Sequence, residues 1–409
     1  MDLRESYKYY ENIFSNIGKT ENNGLTRLLY TDEWANAQRR MKEEMEAIGM
    51  EANFDAVGNL IGTLVGTDEN PKVIATGSHI DSVVEGGNLD GQYGILAGLS
   101  AVRDLVKEYG KPKNSLQVIS MAEEEGSRFP YVFWGSKNLF NMITPEDKKE
   151  VEKIEDGSGH SFVSEMRKHG FDFKSEEDEP VSIDKFIEIH IEQGNYLEMI
   201  NKPIGVITAI TGQKRYKIRI KGQANHAGTT RMSYRKDAIY AYSKIVKSSI
   251  EMAEEEGDPL VITFGNITVV PNTVNVVPGE VVFSMDCRHP DGYILNNFTK
   301  KIEKNMKSIV DEMNMEIELD MWMNAPPVPM DHSVINTIEN TVKEMGIDYE
   351  VMHSGAGHDS QIFAPRVPTG MIFVPSIDGI SHNPAEKTKD EDLFLGIEVL
   401  KNTLHKLAY

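Results

Sequence analysis

Histidines and acids recur in this sequence where apolar, strand-like runs end. His79 and Asp81 close KVIATGSHID, and Asp90 lies just beyond in LDG. Glu123, Glu124 and Glu125 follow LQVISMA, His190 follows KFIEI, and His382 sits in GISHNPAE. Imidazole nitrogens and carboxylate oxygens without sulfur suit two divalent ions of the zinc or manganese type. Two such ions a few ångströms apart can share one water, lower its pKa and polarise a carbonyl. A hydrolase of this kind also needs a group that takes a proton from the water and returns it to the leaving nitrogen. Glu124, beside the candidate ligand Glu125, can do both in turn.

Each residue also has a plainer reading. Asp90 precedes Gly91 at a helix start, where it could be an N-cap, or its carboxylate could bridge two ions. Three adjacent carboxylates at 123–125 repel one another unless a cation is near, but they could form a solvated loop. Asp81, two residues after His79, shares its side of an extended strand and could accept the second imidazole N–H, fixing the tautomer. His160, His169, His332 and His405 lie in charged or amphipathic contexts and are expected at the surface. His289 reads as a neighbour of Arg288, and His353 stays ambiguous.

The elements that must position these groups follow from the pattern. TDEWANAQRRMKEEMEAIGM predicts a helix with Thr31 as its cap and Gly49 at its end. Strand-like NLIGTLVG and KVIATGSH, helix ILAGLSAVRDLVKEYG and strand LQVISMA then alternate, which predicts a mixed, largely parallel α/β sheet with helices on both faces. Ligands in such sheets gather at the C-terminal strand ends. EDKKEVEKIEDGSG and KSEEDEP read as a solvated surface helix and loop. From 209 to 323 the order becomes β-α-β-β-α-β, an inserted two-layer α+β domain of ferredoxin-like type. Residues 1–208 and 324–409 then form one discontinuous catalytic domain.

With 409 residues, two domains are the default. The formal net charge of −21 opposes binding to nucleic acid or anionic membranes. No apolar run approaches the roughly 18–20 residues of a membrane span, and no secretory signal is visible at MDLRESYKYYENIF. The single cysteine, Cys287, excludes an intrachain disulfide and a cysteine-rich zinc site. A cytoplasmic location is the expectation.

The longer strings GSHIDSVVEGGNLDGQYG, AEEEGSRFPYVFWGSKN, HIEQG, NHAGTT, PNTVNVVPG, SGAGHDSQIFAPRVPT and GISHNPAE resemble the aminoacylase/carboxypeptidase-type dinuclear metallohydrolases. More narrowly, they resemble the branch of N-carbamoyl-L-amino-acid hydrolases, β-ureidopropionases and allantoate amidohydrolases, the last above all in FPYVFWGSKN, IFAPRVPT and DPLVITFG. The resemblance runs from about residue 20 to the C-terminus. It implies two divalent ions per subunit, Mn2+ or Zn2+, held by His79, Asp90, Glu125, His190 and His382. Asp90 bridges and Glu124 is the general base. Gln213, His226, Asn275 and Arg288 are implied substrate contacts, with Gly357 and His358 closing the pocket and His226 also stabilising the oxyanion. The inserted domain is implied to be a lid and a homodimer interface.

The implied substrate is a small ureido compound with a carboxylate. A hydroxide bridging the ions would attack its ureido carbonyl. For allantoate the implied products are ureidoglycine, ammonia and carbon dioxide; an N-carbamoyl-L-amino acid is the alternative substrate. A dipeptidase and a non-catalytic binder are more distant readings. Arg288 could otherwise be a strand-end salt bridge, and His226 a satisfied loop residue. Two departures from the family pattern stand out: Arg231 replaces a proline after NHAGTT, and Ser82 stands where threonine is usual.

Overall fold

The computed structural model describes residues 1–175 and 177–409. Residue 176, within KSEEDEP, lies outside the described residues. The chain divides into two compact units, Met1–Thr208 with Met330–Tyr409, and Ala209–Pro329.

The first unit opens with helices α1 (Leu3–Phe14) and α2 (Asp32–Ala47), then β1 (Glu51–Phe54), β2 (Leu60–Leu64) and β3 (Val73–His79). Next come α3 (Gln92–Tyr109), β4 (Ser115–Met121), α4 (Trp134–Leu139), α5 (Pro145–Val151), α6 (Phe162–Lys168), β5 (Lys185–Ile191), α7 (Tyr196–Met199) and β6 (Ile204–Ile210). The inserted unit supplies β7 (Gly212–Lys221), β8 (Asn225–His226), α8 (Ala238–Glu256), β9 (Val261–Thr263), β10 (Ile267–Val270) and β11 (Val276–Val277). It continues with β12 (Glu280–His289), α9 (Gly292–Glu312), β13 (Glu316–Ala325) and β14 (Val328–Pro329). The first unit then resumes with α10 (His332–Glu344), β15 (Tyr349–Ser354), α11 (Ser360–Phe363), β16 (Thr369–Val374) and α12 (Asp390–Ala408).

The sheet of the first unit runs in the order β1-β2-β4-β3-β5-β16-β6. Its centre is parallel, since β3 pairs with β4 and β5, and β5 with β16. Its flanks, β1–β2, β2–β4 and β16–β6, are antiparallel. Central parallel strands are covered on both faces and so read as continuous apolar runs. Six of the seven residues of β5 are buried, as are six of the seven of β3. Phe186 of β5 stacks on Phe363 of α11, with ring centroids 3.9 Å apart. Ile189, three residues on, faces Gly396 of α12 on the opposite side. On α12 the buried Leu393, Ile397, Leu400 and Leu404 form one helical stripe. Burial is worth about 1.5–3 kcal/mol for each such side chain.

Thr31 caps α2 by accepting the N–H of Trp34, as its place in the sequence predicts. The expected surface position of His169 does not hold. Its side chain is only 5% exposed, tucked beside Asp32 at 3.8 Å, because the turn after α6 packs Phe171 against Trp34. His160 and His332 are exposed, and His405 is partly covered between Tyr109 and Tyr409.

The inserted unit holds an antiparallel sheet ordered β10-β12-β7-β13, with β9 also pairing with β12. Helices α8 and α9 pack on it and on each other. Its core contains Tyr216, Ile218 and Ile220 of β7, Val281, Phe283 and Met285 of β12, and Phe298, Ile302 and Met306 of α9. Alternate residues of β7 and β12 face this core, which is the period-2 pattern of a half-buried sheet. The run LVITFGNITVV forms two strands, β9 and β10, separated around Gly265 and Asn266. The unit ends at 329 rather than the expected 323. β13 continues to Ala325, and β14 then pairs with Ile210 and Ala209 inside the same unit.

Candidate metal centre

Four parallel neighbours deliver the site. β3 ends at His79, β4 runs into Glu123–Glu125, β5 carries His190, and the segment after β16 carries His382. Between β3 and α3, the loop presents Asp90. The helix cap of α3 is Gly91, which makes no side-chain cap, so Asp90 is not the N-cap. Its carboxylate faces three imidazoles instead. Oδ1 lies 3.4 Å from His79 Nε2 and 3.2 Å from His190 Nε2. Oδ2 lies 3.1 Å from His382 Nε2, and that same nitrogen is 3.1 Å from Glu125 Oε1.

Two donor triads result, His79–Asp90–His190 and Asp90–Glu125–His382, each with its donor atoms within 4.8 Å of one another. They share only Asp90. A third group, His79–Glu124–Glu125, meets the same distance criterion and sets Glu124 beside both triads.

Gly91 is required where it stands. It has φ +64°, and an added Cβ would lie 2.4–2.5 Å from ring atoms of His79. Its N–H also points to His190 Nε2 at 3.1 Å. The far nitrogens of the two buried histidines are engaged from behind. His79 Nδ1 is 3.1 Å from Asp81 Oδ1, and His190 Nδ1 is 2.9 Å from the Ile191 carbonyl. This leaves each Nε2 as the ring nitrogen turned towards Asp90, the side from which a metal ion would be bound. Asp81 also accepts the N–H of Glu124 and of Glu125 at 3.0 and 3.2 Å.

The electrostatics fit a cation site. Burial pushes the Asp90 carboxyl up, but hydrogen bonds from His190, His382 and His79 outweigh it and hold it well below its ordinary range. His382 is raised to about 10 by its hydrogen bonds to Asp90 and Glu125. Burial raises Glu124 well above its ordinary range, and Glu125, Asp359 and Asp81 add to this against His79. Five acids, Asp81, Asp90, Glu123, Glu124 and Glu125, crowd this region. Carboxylate and imidazole donors gathered without sulfur suit hard-to-borderline divalent ions, whose charge offsets that of the carboxylates.

Several contributors were not singled out from sequence. Gln193 and Ser381 donate to Asp90 Oδ2 at 2.8 and 3.1 Å. Glu386 accepts the N–H of Leu89 and of Asp90 at 2.8 and 3.1 Å. All three lie in strings quoted above, HIEQG and GISHNPAE. Glu188, two residues before His190 on the same strand face, is fully buried and accepts from Ser78 Oγ and from the N–H and Oγ of Ser360. Asp359 is fully buried, and burial pushes its carboxyl up to about 8.

His358 is buried with its ring 4.5 Å from that of His190, and its Nε2 lies 3.0 Å from Ser354 Oγ. Burial and the adjacent His190 hold it well below its ordinary pKa, so it is neutral. Gly357, beside it, is exposed.

The remaining expected contacts lie in the inserted unit. Arg288 and Gln213 are cross-strand partners. Both converge on Asp286: Arg288 Nε and a terminal nitrogen donate at 3.1 Å, and Gln213 donates at 3.2 Å. Arg215 Nε joins them at 2.8 Å. The strand-end salt bridge is therefore present. Arg288 remains 30% exposed. His226 pairs with Val276 on the short β8–β11 ribbon, and Asn275 immediately precedes β11; both His226 and Asn275 are exposed. The Asn275 carbonyl accepts the N–H of Ala227. Arg231 is exposed with φ −61° and ψ 146°, a backbone that proline also adopts. The loop is instead fastened by Arg235, which donates to the carbonyls of Thr230 and Ala227.

The model of peptidase family M20/M25/M40 matches residues 75–406. The chain belongs to this family. Within the M20 group it is 51% identical to an allantoate amidohydrolase of Escherichia coli over 97% of this chain and 96% of that protein. It is 42% identical to an allantoate amidohydrolase of Bacillus subtilis over 100% and 99%. Among solved M20-like folds, an amidase of the hydantoinase/carbamoylase family from Burkholderia multivorans superposes with a TM-score of 0.92. That match has 30% identity and covers 99% of this chain and 98% of that one. The chain is thus a hydrolase of C–N bonds.

Proposed function

We propose that this protein hydrolyses a ureido C–N bond of allantoate, giving ureidoglycine, ammonia and carbon dioxide. The observation that carries the hydrolytic reading is the carboxylate of Asp90 standing between two donor triads. The substrate is supported by full-length identity of 51% to an allantoate amidohydrolase. His79, Asp90 and His190 would hold one ion, and Asp90, Glu125 and His382 the other, with Mn2+ or Zn2+ as the candidates. When bound, the ions acidify a water and polarise the ureido carbonyl.

Glu124 does the proton work. Its partly buried carboxylate, raised in pKa, takes a proton from the attacking water and hands it to the departing nitrogen. Asp81 fixes the backbone that presents it. His358, neutral and against His190, closes the pocket with Gly357.

We read the inserted unit as a lid and homodimer interface that brings Gln213, His226, Asn275 and Arg288 to the substrate. The support is the resemblance of NHAGTT and PNTVNVVPG to the family pattern. Arg288 offers a planar fork for the carboxylate of allantoate, and Asp286 holds that fork in place. His226 is the donor to the developing oxyanion. A cytoplasmic location accords with the one buried, unpaired cysteine.

The alternative substrate is an N-carbamoyl-L-amino acid, favoured by the fold match to a hydantoinase/carbamoylase-family amidase. Ammonia release from purified, manganese-loaded protein, with allantoate and a panel of N-carbamoyl amino acids side by side, decides between them. Turnover of allantoate alone supports the first reading. Preference for a carbamoyl amino acid overturns it while leaving the metal chemistry in place.

A further inference from the structure

Arg27 is a wholly buried guanidinium with no part in the chemistry described so far. Its donors fan out to four places. One terminal nitrogen donates to the Ile80 carbonyl at 3.2 Å and to Gln92 Oε1 at 2.9 Å. The other donates to the Phe14 and Ile17 carbonyls at 2.6 and 2.9 Å. Its main chain engages the same turn, with N–H donating to Ser82 Oγ at 2.8 Å and C=O accepting the N–H of Ser82 at 3.0 Å.

Two of these anchors flank the metal centre. Ile80 and Ser82 bracket Asp81, next to His79. Gln92 stands two residues after Asp90, and its amide donates in turn to the Asn88 carbonyl at 2.8 Å, which spans the loop that carries Asp90. The other two anchors are the carbonyl of Phe14, the last residue of α1, and that of Ile17 in the turn just after it, where the helix dipole favours a cation. Burial lowers the proton affinity of the guanidinium, and the nearby carboxylate of Asp81 raises it.

A buried cation held mainly by carbonyls is costly to keep. A core that needed only filling would be served by an apolar side chain. Here the planar fork ties the His79–Ser82 turn to the first turn of α3 and to a rigid helix end.

We propose that Arg27 is a positioning residue for the paired metal site, setting the spacing between the His79 turn and the Asp90–Gln92 loop from behind. The proposal rests on the reading of His79 and Asp90 as metal ligands. No other cation does this job on the inner side of the turn among the hydrogen bonds of the described residues. Lysine, with one point of charge, cannot reach Ile80, Gln92, Phe14 and Ile17 together.

The test uses the full chain, stripped of metal and titrated with Zn2+ against a fluorescent chelator, for the unmodified protein, Arg27→Lys and Arg27→Met. Circular dichroism and thermal melts run beside it. The expected result is native helix content with Zn2+ affinity weakened about tenfold or more in both variants. At saturating Mn2+, kcat should fall while KM for allantoate changes little. Arg27→Lys should rescue the melting temperature better than the metal affinity, which a residue needed only for folding would not show.

Folded variants with unchanged affinity and kcat, even at a lower melting temperature, overturn the proposal. If Arg27→Met does not fold, Gln92→Met compared with Gln92→Glu decides, because both lose the amide donor to Asn88 and only the methionine loses the acceptor of the guanidinium. An affinity several-fold weaker in Gln92→Met than in Gln92→Glu supports the proposal, and equal affinities overturn it. If the unmodified protein binds no Zn2+, the metal reading itself fails and takes this proposal with it.

Discussion

Asp81 Oδ1 accepts the N–H of Glu124 at 3.0 Å and faces His79 Nδ1 at 3.1 Å with the same oxygen. One carboxylate thus sets both a candidate ligand and the candidate base. Asp81→Ala should weaken metal binding by about 10- to 100-fold and also lower kcat at saturating metal. Chelator competition and steady-state kinetics separate the two losses. Unchanged metal affinity would show that the His79 orientation does not depend on Asp81.

Glu124→Gln keeps the volume and removes the base. Metal stoichiometry should stay equal to that of the unmodified protein, while kcat falls by roughly 10²–10⁴-fold. Metal analysis by atomic emission and ammonia release check this. A near-normal rate would move the proton work elsewhere.

Gly91→Ala tests the closeness of loop and imidazole. The left-handed φ costs roughly 1–2 kcal/mol for a residue with a side chain, and the new Cβ collides with His79. The expected outcome is a lower melting temperature together with loss of metal binding. An alanine protein with both properties intact would mean that the loop adapts.

Metal affinity should rise with pH. In the metal-free protein Asp90 and Glu125 hold His382 at about 10, and His79 and His190 are also raised. A proton must leave before an imidazole can ligate, so binding releases protons and strengthens as pH climbs towards 10. The linkage to stability has the opposite sense. A raised folded-state histidine stabilises the metal-free protein fully below the unfolded value of about 6.5, and this is lost as pH rises through about 10. Calorimetry in buffers of different ionisation enthalpy measures the released protons. Melts of the metal-free protein between pH 6 and 10 measure the stability change.

Arg288→Ala should raise KM for allantoate by about tenfold or more, on the scale of a charge-assisted pair, with less effect on a ureido analogue that lacks the carboxylate. Asp286 would be left without its fork, so Asp286→Asn is the companion variant. Equal losses with charged and uncharged substrates would assign Arg288 to the lattice of β12 alone.

Much of the site was legible because its chemistry is local to strand ends. His79, Glu124, Glu125 and His190 each follow an apolar run, and a parallel sheet delivers such ends to one edge. The mixed sheet and the inserted unit were legible for the same reason, since period-2 and period-3.6 patterns survive in single stretches. Apart from Asp81, the partners of the ligands were not. Gln193, Ser381 and Glu386 are ordinary polar residues until the fold sets them beside Asp90. The covered position of His169 depended likewise on how Phe171 meets Trp34.

The sequence by itself determined the inventory: which donors exist, that sulfur is absent from the set, and which elements carry them. Side-chain chemistry and strand period are properties of short segments, so they need no folded context. Only the tertiary structure decided that Asp90 faces three imidazoles instead of capping a helix, and that Arg27 lies buried behind the His79 turn. Those outcomes depend on contacts between residues far apart in the chain. Packing geometry, not residue type, chooses which of a carboxylate's possible partners it meets.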